Sequence, residues 1–342
     1  MSVASAVRES TMKAIRIQAH GGAGACRLDD VERPRPGAGE VLVEMGVAGL
    51  NFIDVHIRLG RYAKSETYRN ALPMTLGMEG AGTVAAVGAG VCDFTIGDRV
   101  AYCVVRGSFA QYAVVPQDKL VRVPQGVSLD DACALMLQGL TAHYLSHSAF
   151  ALEPGHTCLI HAAAGGVGGL LVQLAKIRGA TVIGTVGSPK KAALARSLGC
   201  DHTILYKEQD FRDETRRLTG GAGVDVVYDS IGRDTIARSI RSLRRRGLCI
   251  NYGGASGLVE SIVPLELGEA GSVYFTRPHL ADYIATTAEL HDRAVSLFGH
   301  LREGRLKVSI DRRFALAEVA AAMDYLEAGR TCGKILLDIP TC

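Results

Sequence analysis

An apolar run from Thr157 to His161 passes through His161-Ala162-Ala163-Ala164-Gly165-Gly166-Val167-Gly168 into an amphipathic stretch, Val167 to Arg178. A strand that enters a helix through residues this small constrains the chain more than any other feature, because it commits the backbone to one tight turn. Ala163, Gly165 and Gly168 fill the three places of a dinucleotide fingerprint, with alanine for the first glycine. Without bulky Cβ atoms in the way, a pyrophosphate reaches the helix N-terminus, where unpaired N–H groups and the helix dipole favour an anion. Ala164, Gly165, Gly166 and Val167 are the residues expected to face it.

The segments around this loop alternate. Strand patterns at Thr181 to Val186, Val224 to Asp229 and Leu248 to Tyr252 are interleaved with a helical pattern at Pro189 to Leu198. Alternation of this kind specifies a doubly wound parallel sheet, an α/β Rossmann domain. Before it, short strands at Lys13 to Ile17, Val41 to Ala48, Gly80 to Val87, Arg99 to Val104 and Ala110 to Val115 are separated by glycine turns, the pattern of a small β-rich domain. Asp130 and Asp131 open a helical stretch through Ser148. The last part reads as a helix from Ala285 to Glu303, a strand at Asp311 to Phe314, a helix at Leu316 to Ala328 and a strand at Lys334 to Leu337. Arg241, Arg244, Arg245 and Arg246 read as a solvated helix end.

At the end of the second strand of the parallel sheet an NAD-preferring site carries an acidic residue, which holds the ribose hydroxyls. Here Gly187-Ser188-Pro189-Lys190-Lys191 stands instead. No carboxylate repels a 2′-phosphate, and a serine with two lysines offers donors and positive charge. Lysines in a first helical turn oppose the dipole unless an anion compensates, so NADPH is the expected cofactor.

With a net charge of +3 over 342 residues, the chain has no general basic surface for nucleic acid. Nine cysteines without a CxxC pair exclude compact thiolate zinc clusters and suggest free thiols in a reducing cytoplasm. Leu159 to Ala175 is apolar, but His161, Gln173 and its glycines argue against a membrane span, which needs about 20 mostly apolar residues. Residues 1 to 11 read as a disordered leader.

Further motifs are Gly49-Leu50-Asn51-Phe52-Ile53-Asp54, Gly77-Met78-Glu79-Gly80-Ala81-Gly82, Gly97-Asp98-Arg99-Val100 and Val227-Tyr228-Asp229-Ser230-Ile231-Gly232. With the glycine loop, they make the chain resemble the medium-chain dehydrogenase/reductase superfamily, and within it the zinc-free quinone oxidoreductases that include zeta-crystallin. The resemblance implies a GroES-like catalytic domain split between the chain ends (residues 1–135 and 277–342) around a Rossmann NADPH-binding domain (136–276). It also implies the absence of catalytic zinc. Zinc-dependent relatives place cysteine at Asn51, histidine at Met78 and commonly cysteine near Gln138, and the residues found here lack the thiolate and imidazole donors zinc needs. His143 and His147 stand four apart without the glutamate of HExxH, which gives no metal site.

By the same resemblance Asn51 contacts the nicotinamide half of the cofactor and Tyr62 lies on the substrate side. Lys191 and Tyr206 embrace the 2′-phosphate. Tyr252 and Gly253 lie near the nicotinamide, and Ser230 lies at a strand end. Gln138 stands where some bacterial quinone reductases have lysine, which replaces a cation facing the cofactor with a neutral amide. The implied reaction is NADPH-dependent reduction of a quinone by hydride or electron transfer. The alternatives are reduction of a 2-alkenal, enone or enoyl thioester, with Tyr62 as proton donor, or an NADPH-binding structural role with little turnover. A thioester carrier would want a basic patch, for which Arg58, Arg61, Lys64 and Arg69 are candidates. The family further implies a homodimer formed by pairing edge strands, with Ser272 to Thr276 as the candidate edge.

Overall fold

Strand and helix patterns along this chain sort into two sets of sheets, each enclosing its own apolar cluster. In the computed structural model, which describes residues 11–68 and 71–340, they form two compact units. One comprises the chain through Leu137 with Ile284–Arg302 and the segment from Ile310 onward. The other comprises Gln138–Tyr283 with Glu303–Ser309.

The second unit is built on a six-stranded, wholly parallel sheet in the order His202–Leu205, Thr181–Val186, Thr157–Ile160, Val224–Asp229, Leu243–Asn251, Tyr274–Thr276. Numbered along the chain that order is 3-2-1-4-5-6, the doubly wound arrangement expected from the alternation. Its switch point lies between Thr157–Ile160 and Val224–Asp229, where the connections leave in opposite directions and open a crevice at the carboxyl ends of the strands. Leu159, Ile183, Ile204, Val227 and Cys249, one from each of five adjacent strands, pack into one buried cluster.

The first unit holds a seven-stranded sheet in the order Ile310–Ala315, Lys334–Asp338, Glu40–Leu50, Glu79–Val87, Arg99–Cys103, Val121–Arg122, with Tyr112–Pro116 also paired to Glu40–Leu50. All these pairings are antiparallel except that of Ile310–Ala315 with Lys334–Asp338. A smaller sheet joins Arg27–Glu32, Thr11–Ile17 and Met74–Thr75. Lys334–Asp338 runs antiparallel to Glu40–Leu50, with Ile335 opposite Leu50, so the last strand lies beside the residue that precedes Asn51.

Several expectations are corrected. Thr11 belongs to the first strand, and the rest of the supposed leader lies outside the described residues. Only Arg241 ends a helix (Ile236–Arg241). Arg244, Arg245 and Arg246 lie in the strand Leu243–Asn251, where Arg244 pairs with Asp225 at 2.6 Å. The helical stretch after Ser128 is interrupted by π-turns at Leu135–Gly139 and Leu145–Ala149, a feature that residue periodicity does not encode. The helix expected from Ala285 starts at Thr287. Arg27–Glu32 and Phe211–Leu218 escape pattern reading because they are dominated by charge. One is held by antiparallel pairing and the other by the Asp210 side chain capping its N-terminus.

Candidate cofactor and substrate site

The glycine loop of the second unit leaves the strand Thr157–Ile160 and enters the helix Gly166–Ile177 with Gly165 as N-cap. No side chain caps that helix and its first turn has no acid, so its N–H groups are open to an anion. A Cβ on Gly168 would stand inside van der Waals contact with the Ala162 carbonyl oxygen. One on Gly166 would overlap the Gln138 carboxamide, which places Gln138 at this turn. Ala162 takes the left-handed conformation with φ 51°, which an alanine adopts only under restraint.

That restraint comes from His161. Its ring is fully buried, with Nδ1 2.9 Å from Thr185 Oγ1 and Nε2 2.9 Å from Ser239 Oγ. Ser239 spends its proton on Asp229 Oδ2 at 2.7 Å, so Nε2 donates to Ser239 and Nδ1 accepts from Thr185. Burial pulls the His161 pKa below its ordinary value despite the Asp229 charge, which fits the neutral ring this bonding requires. His161 therefore ties the loop to the strand Thr181–Val186 and the helix Ile236–Arg241, and through Ser239 to Asp229. Its role was not legible in sequence, where it appears only as the end of an apolar run.

At the end of the second strand Ser188 caps the helix Pro189–Ser197 by accepting the Lys191 N–H at 3.3 Å. The Tyr206 N–H binds the Val186 carbonyl at 3.2 Å, and a Cβ on Gly187 would come 2.9 Å from the Tyr206 hydroxyl. Gly187, Ser188, Lys191 and the half-exposed Tyr206 are thus brought together. On the other side of the switch point, Tyr252 and Gly253 turn back to give their N–H groups to the Asp229 carbonyl, at 2.9 and 3.4 Å. Gly253 packs so closely on Ser230 that a Cβ there would strike its backbone. The enclosed Tyr252 hydroxyl closes no hydrogen bond of ordinary geometry, and burial, only partly opposed by Ser230, pushes its pKa up.

In the first unit Asn51 and Tyr62 lie beyond opposite ends of the helix Phe52–Arg58. Tyr62 packs edge-on against His56 (ring centroids 5.8 Å apart) and at a tilt against Tyr68 (5.2 Å), and its hydroxyl has no partner among the described residues. Asn51 is buried and heavily engaged. Its Nδ2 donates to Glu79 Oε2 at 2.8 Å and to the Gly49 carbonyl at 3.2 Å, and its Oδ1 accepts from Lys334 Nζ at 2.8 Å. Lys334 also donates to the Leu50 carbonyl and is ion-paired with Glu79 at short range, both side chains almost wholly buried. Glu79 Oε1 accepts the Leu137 N–H at 2.5 Å. Sequence reading placed Asn51 at the cofactor but missed the ion pair, because Lys334 is 283 residues away.

Asp54 completes this neighbourhood. Its Oδ2 accepts the Asn51 N–H at 2.9 Å, while its buried Oδ1 has no partner. Burial pushes the carboxyl up to about 7, against the pull of the Asn51 N–H and the Lys334 charge. The native state holds this proton to higher pH than the unfolded chain does. Ionisation therefore costs the native state, with no penalty below about pH 4 and the full penalty above about pH 7. Asp54→Asn is expected to stabilise the protein by about 2 kcal/mol at pH 8, with the gain fading toward pH 4. Urea unfolding at both pH values checks this. An equal effect at both would mean that the carboxyl is not paying for its ionisation.

Comparison with known proteins places this arrangement. Residues 37–125 match the family model described as "Alcohol dehydrogenase GroES-like domain", and residues 166–291 match "Zinc-binding dehydrogenase". A quinone oxidoreductase of Pseudomonas aeruginosa is 42% identical over 326 residues, covering 95% of this chain and 99% of that protein. The chain belongs to the quinone oxidoreductase family of the medium-chain dehydrogenase/reductase superfamily. A 2-haloacrylate reductase of a Burkholderia species is 43% identical over 325 residues, covering 94% of this chain and 97% of that protein. The solved structure of the Escherichia coli quinone oxidoreductase complexed with NADPH matches with a TM-score of 0.92 at 38% identity, covering 96% of this chain and all of that one (100%).

In this member of the quinone oxidoreductase family the word zinc in the matched model's description meets a different chemistry. An ammonium already stands against Asn51 and Glu79, and Met78 is buried in the apolar cluster around Ile15, Leu50 and Leu76. Among the described residues no three His, Cys, Asp or Glu side chains gather in a group that could hold a metal ion, and no helix is long and apolar enough to cross a membrane. His143 and His147 form a stacked pair, 4.0 Å between centroids.

Proposed function

We propose that this chain is a zinc-independent NADPH:quinone oxidoreductase. The observation that carries the cofactor is the acid-free end of the second strand, where Gly187, Ser188, Lys191 and Tyr206 converge. There Ser188 and Lys191 hold the 2′-phosphate, with Tyr206 against the adenosine. Ala164, Gly165, Gly166 and Val167 present backbone to the pyrophosphate, while Gln138, Ser230, Tyr252 and Gly253 bound the nicotinamide side. The bound cofactor supplies reducing equivalents to a conjugated acceptor. Asn51 has its Nδ2 committed to Glu79 and Gly49 and its Oδ1 engaged by Lys334, so its side chain is already bonded within its own unit. It therefore shapes the site more than it donates to it. A quinone suits a site of this kind because its reduced oxygens take protons from water.

Lys191→Ala is expected to lower the preference for NADPH over NADH by about 10- to 100-fold, the loss of a charge-assisted contact. Titration of both cofactors reads it. An unchanged preference would remove Lys191 from the phosphate site. NADPH oxidation with 1,4-benzoquinone, 9,10-phenanthrenequinone, a 2-alkenal and crotonyl-CoA tests the acceptor. Turnover confined to the last two would overturn the quinone reading, and cofactor binding without any turnover would favour a structural role.

The second reading, reduction of an enone or a related conjugated carbonyl, draws support from the unpartnered Tyr62 hydroxyl, a proton donor that such a reaction needs at carbon. It also draws support from the haloacrylate reductase relative. The thioester version loses ground. Arg58 is buried and paired with Glu327 at 2.8 Å, which takes it out of a surface patch with Arg61 and Lys64, and Arg69 lies outside the described residues.

The active form is proposed to be a homodimer in a reducing cytoplasm. Tyr274–Thr276 is the edge of its sheet, Tyr274 is 63% exposed, and Val263 and Leu265 add exposed apolar surface in the same unit. Light scattering behind size exclusion should give twice the chain mass. A monomer at micromolar concentration would count against the pairing.

A further inference from the structure

The turn Val104 to Ser108 of the first unit is stitched to the segment beside Asn51. The Val104 N–H donates to the Met78 carbonyl at 2.8 Å, the Gly107 N–H to the Gly77 carbonyl at 2.9 Å, and the Glu79 N–H to Ser108 Oγ at 3.3 Å. Val104 pays for this path with φ 63°, a left-handed conformation that a β-branched residue rarely adopts. Val104 and Tyr62 flank the same apolar cluster.

This turn carries Arg106, which is half-buried. Three other buried or half-buried arginines of this chain have acceptors. Arg58 has Glu327, Arg99 has the Val127 carbonyl at 2.6 Å, and Arg178 has the Leu152 carbonyl at 2.8 Å. Among the described residues Arg106 makes no hydrogen bond and no ion pair, and its Nε is enclosed without a partner. Asp54 acts on it through space without closing a salt bridge. A guanidinium has a rigid fork of donors that fits a carboxylate in two-point contact, and it keeps its charge when partly desolvated.

We propose that Arg106, on the turn stitched to the segment beside Asn51, is an anion subsite that selects conjugated acceptors bearing a carboxylate. The inference rests on the reading of the chain as a reductase of conjugated acceptors and names the acceptor class within it. With an α,β-unsaturated acid, hydride adds at C3 and a solvent proton at C2. NADPH becomes NADP+, and the carboxylate stays on Arg106 unchanged.

The test compares 2-chloroacrylate with its methyl ester and with 1,4-benzoquinone, in the full-length protein and in Arg106→Met and Arg106→Lys. The acid should lose about 10- to 100-fold in kcat/KM in Arg106→Met, chiefly through KM, with partial recovery in Arg106→Lys, while ester and quinone change less than about threefold. Equal losses on all three acceptors, no loss on the acid, or a weakened NADPH Kd with an unaltered acid KM would each overturn the subsite. Turnover of quinone without discrimination between acid and ester sinks the subsite and spares the reductase reading. If no acceptor turns over, the reductase reading fails, and protection of Arg106 from phenylglyoxal by propionate, read by peptide mass spectrometry, still decides whether it binds a carboxylate.

Discussion

Replacing Lys334 with methionine is expected to lower the unfolding free energy by about 3–5 kcal/mol. The ammonium is the only counter-charge found beside the Glu79 carboxylate among the described residues, and both side chains are almost fully buried. Methionine keeps the stem and removes the charge, which leaves an ionised carboxylate in a dry site and the Asn51 Oδ1 without its donor. The loss should appear as a lower urea midpoint. It is an effect of an orphaned charge, not a measure of what the pair adds over an apolar core. Combining Lys334→Met with Glu79→Gln should therefore restore at least half of the loss, since a neutral amide tolerates burial and a flipped Asn51 can accept from it. A single-variant loss below about 1 kcal/mol would mean that Glu79 reaches water or takes up a proton.

The second large effect is on the cofactor. Gly168→Ala is expected to weaken NADPH binding by about 5- to 150-fold, in line with a misplaced anion cradle and an overpacked turn costing about 1–3 kcal/mol. The new methyl group would meet the Ala162 carbonyl oxygen, backbone against backbone, and Ala162 is already held at φ 51° by the bonds of its neighbour His161. Neither wall yields without moving the N–H groups that face the phosphates. Gly165→Ala should be milder, because its Cβ would stand 3.1 Å from the same oxygen, and Gly169→Ala would press at 3.0 Å only on the end of the Leu198 side chain. Fluorescence titration of NADPH against the three variants gives the order. A Gly168→Ala protein that binds NADPH within threefold of the parent would show that the turn is softer than its geometry implies.

Both effects sit in sites of unequal legibility. Much of the parallel sheet could be read because strands such as Thr181–Val186 and Val224–Asp229 are short, largely apolar runs bounded by glycine, so local pattern and final position agree, whereas His202–Leu205 escaped the pattern. The cofactor loop was equally open to reading, since its chemistry depends on absent side chains at fixed spacing. Charged elements were not. Arg244 to Arg246 look like a helix end but join a strand, because pairing with a neighbour overrides their local preference.

The glycine loop, the acid-free second strand end and the motif at Asn51 were determined by the sequence alone, because each is a contiguous run whose chemistry depends on residue type and spacing. Tertiary structure alone decided what surrounds them. Lys334 reaches Asn51 because the last strand runs antiparallel to Glu40–Leu50, and His161 fixes the loop because Thr185 and Ser239 come from elements 24 and 78 residues away. Arg106 is left without an acceptor by the same packing that provides one for Arg58. Burial and pairing of charge are properties of the folded neighbourhood, and no single stretch of chain carries them.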